Sequence, residues 1–209
     1  MDVQNAIAEA FAANGLATDA EKLALLARFM NMLLAWNEKI NLISRASAND
    51  AATQHIADSA LAAGFLPPCA TLVDLGSGGG LPGVVIAILR PEIRVTLAET
   101  KEKKIKFLQA CAESLNLQNI RVFDAARLMP ARDHEILVCR AFAALEKIVR
   151  EGKKYLTPGG KIYAYKGRQS SVMPEAGALP KKLRRRLVPY TLTQADGTHS
   201  ERALVIIET

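Results

Sequence analysis

The sequence predicts an α/β protein with a mostly parallel, twisted sheet, helices on both faces and an N-terminal helical extension. Three observations predict it. From Thr71 onward, short runs rich in β-branched residues alternate with amphipathic segments, the pattern of strands joined by helical crossovers. A loop with five glycines, Asp74-Leu75-Gly76-Ser77-Gly78-Gly79-Gly80-Leu81-Pro82-Gly83, follows the first such run and opens a helix. Half of the 209 residues are hydrophobic, enough to bury a full core in one large unit. The expected division is residues 1–65 as helical extension and 66–209 as one compact core.

The elements follow in order. Residues 2–13 predict a first helix. Thr18, with Glu21 three residues on, reads as a capping box, after which Leu23, Leu26, Met30, Leu33 and Leu34 recur at helical spacing up to Trp36. A third helix is expected over about 49–63. The apolar runs at 71–75, 94–98, 120–123, 136–139, 161–165 and 203–208 predict strands. Between them, 84–89 continues the loop as a helix, 101–115 carries Ile105, Leu108, Ala112 and Leu115 on one face, and 143–155 is a further crossover helix. Gly167 to Pro180, with Gly, Ser and Pro flanking a basic cluster, reads as a mobile segment.

Composition narrows the function classes. No apolar run approaches the ~20 residues of a membrane span, and the N-terminus has neither the basic nor the apolar region of a signal peptide, so a soluble, cytoplasmic protein is expected. Cys69, Cys111 and Cys139 are an odd number without a C-x-x-C pair, which predicts reduced structural thiols and no metal. The net charge of +6 is unevenly placed. Residues 1–60 hold four Lys or Arg against seven Asp or Glu, whereas residues 151–190 hold ten against two. A polyanion-binding face has this asymmetry, because each phosphate contact releases counterions; a basic, solvated helix face has it too.

The glycine loop carries the chemistry. Gly78, Gly80 and Gly83 satisfy G-x-G-x-x-G, a weak dinucleotide signal. A dinucleotide fingerprint runs from strand straight into glycine, whereas here Asp74 stands at the strand's carboxyl end. A carboxylate there repels pyrophosphate and accepts from an ammonium, or holds backbone amides that do. D-x-G-x-G-x-G resembles the first motif of S-adenosylmethionine-dependent methyltransferases with a Rossmann-like fold, in which Asp74, Gly76, Gly78 and Gly80 form the cofactor loop. Glu99, 19 residues past Gly80, ends the next strand, where a carboxylate accepts from both ribose hydroxyls. Arg140 ends the fourth strand; a buried arginine there needs an anionic or carbonyl partner, either a ligand or an internal acid. No N-P-P-Y, D-P-P-Y or Pro-Cys pattern accompanies it, and Cys139 lies within the apolar strand as a core residue.

Beyond the loop, Trp36-Asn37-x-x-Ile40-Asn41-Leu42-Ile43-Ser44, His55-Ile56-x-Asp58-Ser59, Lys103-Lys104-x-x-Phe107-Leu108, Arg140-Ala141-Phe142-Ala143 and Tyr165-Lys166-Gly167 stand in succession. Together with the loop they resemble the motifs of the RsmG (GidB) family, which methylates N7 of a guanine in bacterial 16S ribosomal RNA. The resemblance covers nearly the whole chain. It implies a class I methyltransferase fold, S-adenosylmethionine as cofactor, and cofactor contacts at Gly76, Leu81, Ala126, Arg127 and Arg140. The chain departs from the family in carrying Glu99 where Asp is frequent, and Leu128 and Met129 where Glu is frequent.

The implied acceptor sets the mechanism. Guanine N7 presents an in-plane lone pair at neutral pH, so methyl transfer needs positioning and electrostatics and no general base. Arg140, Asn41 and Lys166 are the positioning candidates, the latter two as donors near guanine O6. Lys166, Arg168, Lys181, Lys182, Arg184, Arg185 and Arg186 become the candidate RNA contacts. His55 and Asp58, three apart on one helical turn, read as a helix-to-domain hydrogen bond, and Trp36 as a packing anchor. The expected partner is 16S ribosomal RNA or the small-subunit particle, bound by a monomer. Two other classes remain open on the residues alone: an NAD-dependent oxidoreductase, and a non-enzymatic RNA-binding assembly factor with a vestigial cofactor site.

Overall fold

The computed structural model describes residues 2–43, 50–194 and 196–209. Three helices come first: α1 (Val3–Ala13), α2 (Ala20–Asn37) and α3 (Asp50–Ala63). Five strands then run parallel, β1 (Thr71–Leu75), β2 (Arg94–Glu99), β3 (Ile120–Asp124), β4 (His134–Arg140) and β5 (Leu156–Lys166). They are connected by α4 (Gly83–Leu89), α5 (Glu102–Ser114) and α6 (Leu145–Gly152). After α7 (Gln169–Gly177), an antiparallel pair, β6 (Arg185–Thr193) and β7 (His199–Glu208), completes the sheet, β7 lying antiparallel to β5. The strand order is β3-β2-β1-β4-β5-β7-β6. Connections therefore diverge from β1 in both directions, and the crevice for a ligand opens at the carboxyl ends of β1 and β4.

The expected α/β architecture is present, with four local differences. Asp19, not Thr18, caps α2, its carboxylate accepting from the Lys22 amide at 2.8 Å. The crossover helix expected at 143–155 is shorter, since the chain takes an extended turn through Ala144 before α6 begins. The segment 167–180, expected to be mobile, holds α7, which buries Val172 and Ala176 against the sheet. The strand β6 was not expected: Arg184 to Arg186 stand as candidate RNA contacts in a basic run, yet Arg185 and Arg186 open a strand and pair with Ile207 and Ile206 of β7. Ser44, the last residue of the tryptophan motif, lies outside the described residues.

Each sheet face has its own core. On one face, Leu72 and Val138 meet α1 to α5 through Phe29, Leu33, Ile56, Ile86, Phe107 and Leu108. On the other, Val73, Leu137 and Ile207 meet α6 and α7 through Ile148 and Val172. This alternation along each strand is what a sheet covered on both sides requires. Trp36 anchors the extension as expected, its ring 5.5 Å from that of the fully buried Phe107 on α5. Cys111 and Cys139 are buried and Cys69 is half-buried; burial pushes the Cys111 thiol up to about 12.

Because Phe107 joins α5 to both α2 and the sheet, Phe107→Ala removes packing on two sides. We expect it to lower unfolding free energy by about 3–5 kcal/mol in urea titrations followed by Trp36 fluorescence; a loss below about 1 kcal/mol would show that the extension does not rest on this contact.

Candidate active site

The glycine loop is built on Asp74. Its side chain points from the end of β1 under the loop, where it is 1% exposed, and Oδ2 accepts from the Gly83 amide at 2.9 Å. One carboxylate thus ties the loop's entry to its exit. Gly83 must be glycine for this approach, since a Cβ there would lie 2.4 Å from Leu97 and 2.6 Å from Asp74 Oδ2. The Ser77 hydroxyl donates back to the Asp74 carbonyl at 2.8 Å, and the Gly76 and Ser77 amides both donate to Ala98 of β2. Among the described residues, Asp74 Oδ1 is buried with no hydrogen-bond partner. Burial pushes the Asp74 carboxyl up to about 7, against the pull of the Gly83 amide and of Arg140.

Glu99 organises the neighbouring turn. Its Oε2 accepts from the Gly78 amide at 2.9 Å, and Oε1 accepts from the Thr100 and Lys101 amides at 2.7 and 3.0 Å. The acid at the end of β2 therefore also sets the conformation of the loop in front of it. Asp124, ending β3, does the same one strand further, accepting from the Ala126 amide at 3.0 Å while its other oxygen faces Arg127 at 3.5 Å. Arg127 is solvent-exposed there, as are Leu128 and Met129.

These turns frame a cleft of about 310 Å³ across the carboxyl ends of β1 to β4. Gly76 and Glu99 line it, together with Lys104, Ala125, Phe142 and Tyr155. Gly76, with φ +74°, leaves bare backbone against which the Phe142 ring lies; a Cβ would meet that ring at 2.4 Å. Ala141 aims Phe142 this way by adopting φ +51°, a left-handed conformation that costs a non-glycine residue free energy and is found at functional sites. Sequence reasoning missed Phe142 and Lys104; the signal available was their place in the motifs that flank the loop. Gly80 and Leu81 instead face the core, Gly80 against Phe29 of α2. Asn37 was also missed: its Oδ1 accepts from the Leu42 and Ile43 amides at 2.8 and 3.0 Å, which folds the segment after α2 onto Gly79. Asn41 sits exposed on that segment.

Arg140 turns toward α3. Its side chain is 16% exposed, and Nη1 lies 3.7 Å from Oδ2 of buried Asp58. Asp58 also accepts from the Tyr190 hydroxyl at 2.7 Å and lies 3.8 Å from Arg202, so α3 is tied to β4, β6 and β7 through one acid. The helix-to-domain bond expected at Asp58 is this one, made to Tyr190. His55, one turn earlier, is held near a pKa of about 4 by burial and by Arg140 and Arg202, and is therefore neutral at physiological pH. The Tyr165 hydroxyl, beside Arg140 on β5, is buried without a partner among the described residues. Lys166 is committed within the protein: its ammonium donates to the Ala143 carbonyl at 2.9 Å and to both Glu175 oxygens at 3.1 and 3.3 Å.

The remaining basic residues separate from this cleft. Arg168 precedes α7 near the carboxyl end of β5, whereas the chain descends through α7, so that Arg185 pairs with Ile207 and Arg186 with Ile206 at the opposite end of the sheet. Lys181, Lys182 and Arg184 accompany them, all exposed.

Among the described residues no group of three His, Cys, Asp or Glu side chains is arranged to hold a metal, and no helix is long and apolar enough to cross a membrane. A family model described as rRNA small subunit methyltransferase G matches residues 22–184. A ribosomal RNA small subunit methyltransferase G from Anaeromyxobacter sp. (strain Fw109-5) is 38% identical over 172 residues, 79% of each chain. Another of that name, from Xanthomonas campestris pv. campestris (strain B100), is 36% identical over 212 residues, 99% of this chain and 95% of its own. Among solved structures, an M. jannaschii protein in complex with AdoMet superposes with a TM-score of 0.53 at 11% identity, over 82% of this chain and 78% of its own, a likeness of fold.

Asp74 gives the site a pH signature. Its raised pKa means that its contribution to stability is full below about pH 4 and is lost as pH rises through about 7. His55 has the opposite sign, contributing above its ordinary value of 6.5 and losing that as pH falls toward 4. We expect Asp74→Asn, which keeps an acceptor for the Gly83 amide, to gain stability relative to the parent protein progressively between those pH values. Thermal melts of the two proteins across that range check it, and a difference independent of pH refutes it. In the same assay Asp58→Asn should cost about 3–5 kcal/mol by leaving Arg140 without its counter-charge, and Tyr190→Phe about 1 kcal/mol.

Proposed function

This chain belongs to the family of ribosomal RNA small subunit methyltransferase G, and from that premise we propose that it methylates N7 of a guanine in 16S ribosomal RNA, using S-adenosylmethionine. The observation that carries the reading is the cleft at the carboxyl ends of β1 to β4, where bare Gly76 and the acid Glu99 meet beneath the motif arginine's strand. Family membership selects this reading over a dinucleotide oxidoreductase and over a non-enzymatic assembly factor.

The residues present fit that cofactor. Gly76 lets the Phe142 ring pack on the loop backbone at the cleft, Glu99 retains lone pairs beyond its three backbone amides that would accept from the ribose hydroxyls, and the turn with Ala126 and Arg127 would border the adenine. Among the described residues Asp74 Oδ1 is a buried acceptor without a donor, and Arg140, which is paired with Asp58, would meet a cofactor carboxylate only by sharing its guanidinium with that acid. Gly78, Gly80 and Leu81 shape the loop that holds these groups in place. S-adenosylmethionine supplies, when bound, an electrophilic methyl group on a sulfonium.

The protein's part is orientation. Guanine N7 brings its own lone pair, so no side chain here is assigned as a base; rate comes from alignment and from a fixed electrostatic surround. Phe142 offers a ring at the cleft wall, and Asn41 an exposed amide for a base oxygen. Lys166 serves the same oxygen only by exchanging Glu175. Arg168, Lys181, Lys182 and Arg184 to Arg186 contact the RNA backbone. The enzyme works as a cytoplasmic monomer.

Labelled S-adenosylmethionine, incubated with small-subunit ribosomal RNA lacking its native modifications, should leave label at N7 of a guanine. Label at another atom would overturn the acceptor assignment, and absence of transfer would overturn the enzyme. Glu99→Ala should weaken cofactor binding by about 1–3 kcal/mol in calorimetry, with Glu99→Gln intermediate; parental affinity in both removes Glu99 from the site.

A further inference from the structure

Far from the cleft, the lower half of β5, β7 and β6 carries a second concavity of about 390 Å³. Its walls are two cross-strand rungs on one face of the sheet. In the first, Lys161 pairs with Glu208, whose amide donates to the Arg184 carbonyl. In the second, Tyr163, Ile206 and Arg186 lie side by side. Because side chains two apart on a strand share a face, Arg184 and Arg186 stand together over an apolar floor of Tyr163 and Ile206. The single acid of the lining, Glu208, is taken by Lys161 at 3.3 Å, so among the described residues the arginines have no carboxylate partner in the pocket.

The position is as informative as the charge. The Lys161 rung lies four residues below Tyr165, the residue opposite Arg140, or about 13 Å down the strand. From β6 to β1 are four inter-strand steps, about 19 Å. A group held here cannot also touch the cofactor loop. Arginine, with a planar fork of donors and a charge fixed at all working pH, suits phosphate oxygens, and an open, polar concavity suits a chain that passes through it. The helices of the extension cover this face only nearer the carboxyl ends, where α3 meets Tyr190.

Resting on the ribosomal RNA reading above, we propose that this pocket is a remote anchor for the RNA sugar-phosphate backbone, separate from the segment that delivers the acceptor guanine. Recognition is then bipartite: one stretch of RNA enters the cleft, and another, more than 20 Å away, is gripped by Arg184 and Arg186 with Lys161 beside them.

The test compares two RNAs with the full-length protein and with Arg184→Gln/Arg186→Gln, both positions being exposed. On a complete 16S transcript, the variant should show a salt dependence of binding shallower by about two units and a Kd raised about tenfold. On a short hairpin bearing only the acceptor segment, Kd should move less than about twofold. An unchanged salt slope on the transcript, or equal losses on both RNAs, would overturn the remote anchor. Binding is read by filter retention, without any methyl transfer, so a failure of the guanine-N7 assignment would leave this result standing by itself. Displacement of the transcript from the parent protein by poly-glutamate as readily as by unrelated RNA would reassign the pocket to an acidic protein partner and overturn the proposal.

Discussion

The bond between Asp74 and the Gly83 amide organises the carboxyl edge of this sheet. It closes the glycine loop on itself, and the closed loop sets where α4 begins, where Phe29 and Leu42 can rest, and which amide is turned toward Glu99. The carboxylate is nearly inaccessible and only half satisfied, so the arrangement stores a desolvation cost that a wholly structural acid would avoid. A second arginine-linked acid, Asp58, faces the same chamber from α3. Two acids and Arg140 thus share one poorly solvated space, and a change in any of them alters the charge felt by the other two.

The extension is accordingly more than a lid. α2 packs Leu33 and Phe29 over the glycines, Asn37 folds the following segment onto Gly79, and α3 supplies the counter-ion for Arg140. The residues that build the cleft come mostly from strand ends, the turns that follow them and α5, while the glycine loop and Arg140 are set by the helices before them. The segments around Trp36 and His55 thus shape a loop to which neither contributes a glycine.

Much of this was legible from the residues. Periodicity located five parallel strands and the closing β7 because each carries a short apolar run, most of them buried, and the loop's acid distinguished its ligand class because charge at that position has a definite consequence. What escaped has a physical cause in each case. β6 is an edge strand that opens on Arg185 and Arg186, so its alternation is masked by the charge run and interrupted by Pro189. α7 has weak amphipathicity and an internal Pro174, which made it look like a linker. The aim of Phe142 depends on the left-handed turn at Ala141, which no alanine announces. The partner of Arg140 was one of two alternatives, and only tertiary contact could choose Asp58.

β6 also bears on how the protein behaves when concentrated. It is the open end of the sheet on that side, with a row of unpaired backbone groups that a second copy could extend. The adjacent cations at its start oppose such edge-to-edge pairing through like-charge repulsion, and Pro189 has no N–H to offer. That protection is electrostatic, and the screening length shrinks from about 10 Å at 0.1 M salt to about 3 Å at 1 M. High-salt buffers chosen to strip nucleic acid from a basic protein therefore also strip this sheet of its guard against self-association.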